Sequence, residues 1–368
     1  MARRVLAACG SRANWSSLRS ICDALDGQPG IELEVACFAS AVSDRYGSIV
    51  DEIRGRYQVV HELDTLAEGG HMAMVQTCAL TLTALGNLYA QRQPDVVVIV
   101  GDRYECLPAA YAAALQNVIV AHTMSGEVSG SIDESIRHAI TKLAHVHFPA
   151  TEAAARRIRR MGEPHAAVHV VGCPRIDTVL ANARGDGGAA GGARHGWGEA
   201  VVLCYHPVTT RRDQEALSVL TGAQQAAEAL GRPLHVVWPN SDAGREGIAR
   251  VIRATGNIFT HRRATPEEWA RVLNTCAVLI GNSSSGLRDA AILGTPVVNV
   301  GDRQQGRECA ENVVHVPTDA EAIRAAAIAQ AEHGRYPSST LYGDGTAGKR
   351  IAEVLMGKLP NVQKVWAA

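Results

Sequence analysis

Residues 95–122 read DVVVIVGDRYECLPAAYAAALQNVIVAH. Val96 to Val100 form an unbroken apolar, β-branched run with no polar alternation. That pattern predicts a strand buried on both faces, as in a parallel sheet. Gly101 and Asp102 break the run, PAAYAAALQN has the composition of a helix, and VIVAH predicts a second strand. Strand, helix and parallel strand make one βαβ unit, and the same alternation recurs along the chain. In the first half the runs are VLAACG, LEVACF, DVVVIVGD, VIVAH and AVHVVG. In the second they are AVVLCYH, LHVVWPN, AVLIGNSS, PVVNVG and VVHV. The fold class expected is therefore α/β, with two Rossmann-like doubly wound domains.

Between the two sets lies NARGDGGAAGGARHGWG, residues 182–198, glycine-dense and without periodicity. It reads as a linker. The expected organisation is an N-terminal domain over 1–181, the linker over 182–198, a C-terminal domain over 199–345 and a terminal helix or tail over 346–368. A chain of 368 residues suits two domains. Ligands of open parallel sheets bind beyond the carboxyl ends of the strands, so the chemistry is expected there, in a cleft between the domains.

Composition narrows the function classes. Apolar residues make up 46%, charged residues 20%, and the net charge is −1. No global field favours nucleic acid or an anionic membrane, and neither is an expected partner. Nine cysteines are scattered without a C-x-x-C pair. They predict buried thiols in a reducing compartment, not a disulfide framework or zinc site. The apolar run near the N-terminus is too short for a signal peptide, and no stretch approaches the ~20 apolar residues of a membrane span. A cytoplasmic protein is expected.

Several strand ends carry polar side chains. In AVLIGNSSSGLRDAA a strand ends at Ile280, and Gly281, Asn282, Ser283, Ser284, Ser285 and Gly286 open a helix. Such a turn offers N–H groups and hydroxyls to an anion, a diphosphate above all. A serine N-cap without ligand is the plainer reading of NSS alone. Asp289 could accept bonds from a ribose diol, and Arg303 and Arg307 follow another strand end. Asp102, presented by Gly101, is a candidate acid/base or a helix N-cap. Ser131 and Glu134 have capping-box spacing, which predicts a helix from Ser131 carrying Asp133 in its first turn, then Arg137, His138, Lys142 and His145. A metal on His138, His145 and His147 lacks the usual i, i+4 pair with a helix-borne Glu, and hydrogen-bonded histidines are the better reading. No metal is assigned. His206 follows the first strand of the second half, and Arg12, Asn14 and Ser16 follow the first strand of all.

The segments GDR, GEVSGSIDESIRHAITKLAHVH, GCPRID, HPVTT, GNSSSGLRDA, GTPVVN, RQQGRE, ENVVHV and YGDGTA, in this order, resemble the UDP-N-acetylglucosamine 2-epimerases, hydrolysing branch, which includes bacterial sialic-acid pathway enzymes. The resemblance implies a glycosyltransferase-B type fold with the active site in the interdomain cleft and no cofactor. It implies UDP-GlcNAc as substrate, elimination of UDP through a 2-acetamidoglucal, and addition of water to give ManNAc and UDP. It puts UDP on Ser283, Ser284 and Arg307, with Ser285 and Gly286 in the same turn and Asp289 at the ribose. The sugar falls among Asp102, Asp133, His138, His145 and His206, with Arg12, Arg103 and Met124 at the binding site. Asp102 leads as base at C2. Asp133 and His206 are candidates for proton donation, leaving-group help or water positioning, and Glu127 can cover a missing acid. A homo-oligomer, dimer or tetramer, is implied as well.

The departures from the family pattern concern the sugar site. H-x-E-G-G-E is here His122-Thr123-Met124-Ser125-Gly126-Glu127, so Met124 stands where a proton-exchanging glutamate belongs. H-G-D-R is Val100-Gly101-Asp102-Arg103, and R-A-D-Y-S-K is Arg12-Ala13-Asn14-Trp15-Ser16-Ser17. The ribose glutamate is the shorter Asp289. These changes suggest a specialised sugar or natural-product pathway. The alternatives are a non-hydrolysing epimerase, a plain UDP-sugar hydrolase and a UDP-sugar-binding protein without turnover.

Overall fold

The computed structural model describes residues 2–183, 197–208, 215–240, 242, 244–262 and 264–367. The chain divides into two compact units. One holds Met1–Glu127, Ile132–Thr178 and Gly343–Ala368, the other Val128–Ser131 and Val179–Tyr342. Residues 184–196 of the expected linker lie outside the described residues.

The first unit is built on six parallel strands: β1 (Arg3–Cys9), β2 (Ile31–Phe38), β3 (Val60–Leu63), β4 (Val96–Val100), β5 (Ile119–Thr123) and β6 (Val146–Phe148). Their order is β3-β2-β1-β4-β5-β6. The quoted βαβ unit is β4, the helix Cys106–Leu115 and β5. All five residues of β4 are buried, as an apolar run without alternation requires. Helices on the sheet complete a core in which Leu6, Val97, Ile99 and Val120 pack on Leu85, Tyr89, Ala109 and Ala113.

The second unit repeats the plan with β7 (Val201–Cys204), β8 (Leu234–Val237), β9 (Phe259–His261), β10 (Val278–Gly281), β11 (Val297–Val300) and β12 (Val313–Val316). The order β12-β11-β10-β7-β8-β9 is the first order repeated from the opposite edge, again fully parallel. Gly281 has φ +142°, and a Cβ there would collide with the Cys204 backbone of β7, so only glycine lets β10 close on its neighbour.

Three of these strands were not among the apolar runs. β3 and β9 are edge strands with half-buried or exposed residues, and β6 has only three residues. Conversely, AVHVVG is not a strand. It begins in a 3₁₀ turn, His165–Ala167, and meets the sheet at one bridge, His147 to Val168. The C-terminal segment returns to the first unit. Its helix, Ala347–Met356, points its N-terminus at Asp177, whose carboxylate accepts from the N–H groups of Ala347 (3.1 Å) and Gly348 (2.7 Å). No described helix is long and apolar enough to cross a membrane. All nine cysteines are free thiols, and Cys309 alone of them is exposed.

Candidate functional site

In both sheets the strand order reverses direction once, between β1 and β4 and between β7 and β10. Such switch points open a crevice at the strands' carboxyl ends. The polar side chains collect there.

In the first unit, Ser11 caps the helix Arg12–Leu25, its Oγ accepting from Asn14 N–H at 3.3 Å. Asn14 is buried and its amide donates to the Val100 carbonyl at 3.2 Å, tying the β1 loop to the end of β4. Arg12 reaches the Gly47 carbonyl. Beyond β4, Gly101 takes φ +72°, and Asp102 follows with its carboxylate on the Arg137 guanidinium. Arg103 turns the other way, to buried Glu105 at 2.5 Å.

Arg137 organises this end of the unit. It is 0% exposed and also donates to the Glu127 carbonyl (2.9 Å) and the Glu134 carboxylate (3.1 Å). Burial opposes its charge, but Asp102, Glu127 and Glu134 outweigh that and raise its pKa further. A permanent positive charge therefore stands beside Asp102. Glu134 also takes His138, whose Nε2 is 3.0 Å from Oε1. The helix is Asp133–Leu143, two residues later than expected, and the Glu134 carboxylate pairs with Arg137 and His138. Asp133 is its first residue. His145 lies past the helix end, accepting at Nδ1 from Val120 N–H (3.0 Å), with Nε2 2.9 Å from the Val362 carbonyl. His147 sits on Glu163 at 3.1 Å, so His138, His145 and His147 each have a different partner.

Glu127 and Met124 are both buried. Met124 holds φ +56°, its N–H donates to the Phe148 carbonyl (2.9 Å), and the Ser17 hydroxyl lies 3.6 Å from its sulfur. A non-glycine residue in the left-handed region is a strained position.

In the second unit, His206 follows β7. Its N–H donates to the Asn282 side chain (2.7 Å), and the Asn282 amide donates back to the His206 carbonyl (2.9 Å). The Asn240 N–H points at His206 Nδ1 (3.3 Å), which leaves the ring proton on Nε2. Ser283 caps the helical turn Ser284–Leu287, accepting from Ser285 N–H at 3.4 Å. The Ser285 hydroxyl is buried and accepts from Trp269 Nε1 at 2.6 Å, so it braces the turn. Gly286 packs on the sheet, where a Cβ would lie 3.1 Å from Val297. Asp289 is fully buried at the start of Asp289–Leu293. Arg303 and Gln304 both donate to the Asn282 carbonyl, at 3.2 and 2.8 Å. Arg307 Nε donates to Val128 O (2.7 Å) and Gly130 N–H to Arg303 O (3.0 Å), joining Val128–Ser131 to the loop after β11.

His122 and Gln304 were not singled out from the sequence, and Arg137 was placed on its helix without a role. A lone arginine on a helix reads as solvated, and nothing local marks it as fully buried.

Residues 23–356 match the family model described as UDP-N-acetylglucosamine 2-epimerase. A Legionella pneumophila protein named UDP-N,N'-diacetylbacillosamine 2-epimerase (hydrolyzing) is 32% identical, covering 96% of each chain. A Neisseria meningitidis UDP-N-acetylglucosamine 2-epimerase is 30% identical over 96% of this chain and 95% of its own. Among solved structures, Methanocaldococcus jannaschii UDP-GlcNAc 2-epimerase in complex with UDP-GlcNAc and UDP superposes with a TM-score of 0.80 at 17% identity, covering 96% of this chain and 99% of that one.

Proposed function

Because the chain belongs to the UDP-N-acetylglucosamine 2-epimerase family, we propose that it inverts C2 of a UDP-linked 2-acetamido sugar and releases UDP by hydrolysis. The observation that carries this reading is the pairing of Asp102, at the first switch point, with a fully buried Arg137. UDP-GlcNAc is the reference substrate. UDP-N,N'-diacetylbacillosamine is the second candidate, since the Legionella relative is named for it and Met124 alters the sugar site.

Departure of UDP builds cationic character on the sugar, and loss of the C2 proton completes the elimination. Carboxylates suit both tasks, as anions and as proton acceptors. Asp102 is the group assigned to C2, with buried Glu127 taking the role that Met124 cannot fill. Asp133 and His206, with its proton on Nε2, are assigned to proton donation and to the departing diphosphate. The turn at Ser283 and Ser284, together with Arg307, is assigned to UDP. The reaction as written needs no redox step, and no cofactor is invoked. A homo-oligomer and a cytoplasmic location remain part of the proposal.

The test is incubation of each UDP-sugar in D₂O, followed by NMR. Free UDP and an epimerised, C2-deuterated sugar are expected. A UDP-linked epimer would mean the non-hydrolysing reaction. UDP with unlabelled, unepimerised sugar would mean plain hydrolysis, and binding without product a non-catalytic protein.

A further inference from the structure

His122 lies on β5 at 0% exposure, in register with Ile99 of β4 and His147 of β6. A ring so enclosed cannot meet a substrate, yet it joins two pieces of the candidate site. Its Nε2 is 2.8 Å from the Gly101 carbonyl, and its Nδ1 is 3.4 Å from the Thr141 hydroxyl. Gly101 is the left-handed residue immediately before Asp102, and its N–H is already fixed on Thr123 O at 3.1 Å. Thr141 is one turn beyond Arg137 and donates to the Arg137 carbonyl at 3.0 Å. The imidazole thus bonds directly to the backbone that precedes Asp102, and it packs against Thr141, whose one proton goes to the Arg137 carbonyl.

We infer that His122 is a positioning residue for Asp102: its Nε2–H fixes the Gly101 carbonyl, and with it the turn that presents the carboxylate to Arg137. The inference rests on the proposed function for its kinetic consequence, but not for its chemistry. Burial dominates the ring's ionisation and pushes its pKa down to about 3. The Gly101 carbonyl and Asp102 act against that, while His147 and Arg137 act with it. A neutral ring has one N–H, and only a carbonyl faces Nε2, so the tautomer is fixed. His122 then carries no proton to or from substrate at any working pH.

Two variants and one spectrum test this. His122→Phe fills the space without a donor, whereas His122→Gln can return an N–H to the Gly101 carbonyl. A catalytic group displaced by a fraction of an ångström loses rate, so His122→Phe should lower kcat on the order of 10²-fold, with KM and UDP affinity within a few-fold. His122→Gln should recover most of that loss and keep the wild-type pH profile. Full kcat in His122→Phe would overturn the inference. So would a His122→Gln variant that binds UDP normally but stays as slow as His122→Phe, or one that loses a limb of the pH profile. In ¹⁵N-histidine spectra of the wild type, one imidazole should remain neutral and Nε2-protonated from about pH 5 to about pH 8. Its signal should vanish in both variants, and a titrating or Nδ1-protonated ring would again overturn the inference. Should the wild type turn over neither UDP-sugar, the proposed function falls and the imidazole signal alone decides the matter.

Discussion

At the scale of single residues, Met124 and Asp102 pull in different directions. Met124 is buried and its backbone is left-handed, yet its side chain offers only a thioether to the Ser17 hydroxyl. It fills the volume of an acid without the chemistry of one. Met124→Leu keeps that volume and should leave kcat within about threefold, whereas Met124→Ala opens a cavity and should destabilise the fold by about 2–5 kcal/mol in urea titrations. A tenfold loss of kcat in the leucine variant would mean that the sulfur itself takes part. Asp102→Asn keeps shape and loses charge. It should depress C2 deuterium exchange by about 10²–10⁴-fold while UDP affinity, measured by calorimetry, stays within a few-fold. Intact exchange would remove Asp102 from the mechanism.

At the scale of elements, the helix Asp133–Leu143 shows how far local sequence reaches. The strand-end rule correctly put Asp102 and His206 beyond parallel strands, because buried β-branched runs and the glycines after them are local signals. The Ser131–Glu134 spacing is a local signal too, and the helix it predicts begins two residues later, at Asp133. Glu134 is also held by Arg137 and His138, one turn further on, through charge-assisted bonds. The role of Arg137 itself was illegible, since two of its acceptors, Glu127 and Asp102, lie 10 and 35 residues away in sequence. The edge strands β3 and β9 were missed for a related reason: with one side of the sheet open, they need no long apolar run. Arg137→Met gives the helix scale its test. It removes the cation and leaves the Asp102 and Glu134 carboxylates facing each other's field. Because Asp102 and Glu134 keep 20% and 33% exposure, the loss should fall at or below the ~3–5 kcal/mol typical of a broken buried pair. A stability equal to wild type would show that the pair serves only the site.

At the scale of the whole molecule, the C-terminal tail packs back onto the first unit. Glu163 is 1% exposed and accepts from Lys142 (2.5 Å) and from Lys364 of the tail (2.8 Å), with His147 at 3.1 Å. Val362 O meets His145, Ala367 N–H bonds to Gly162 O, and Lys142 lies over the Trp366 ring at 4.7 Å. Burial alone would push the Glu163 carboxyl up, but His147, Lys142 and Lys364 hold it down at about 2. The sign of the linkage follows. A carboxyl whose folded pKa is depressed stabilises the fold above its ordinary value of 4.5, and that stabilisation drains away as pH falls from there towards about 2. Buried His122 adds to the same trend, since the unfolded chain takes up its proton near 6.5 while the folded ring resists until about 3. Glu163→Gln removes the first contribution and leaves the second. Urea midpoints should therefore separate wild type from Glu163→Gln most widely near neutral pH, and the gap should narrow through the range from about 4.5 to about 2. Once protonated, the Glu163 carboxyl is as neutral as the amide that replaces it, so the two proteins converge in acid. A gap that stays constant with pH would assign the effect to lost hydrogen-bond geometry instead of charge.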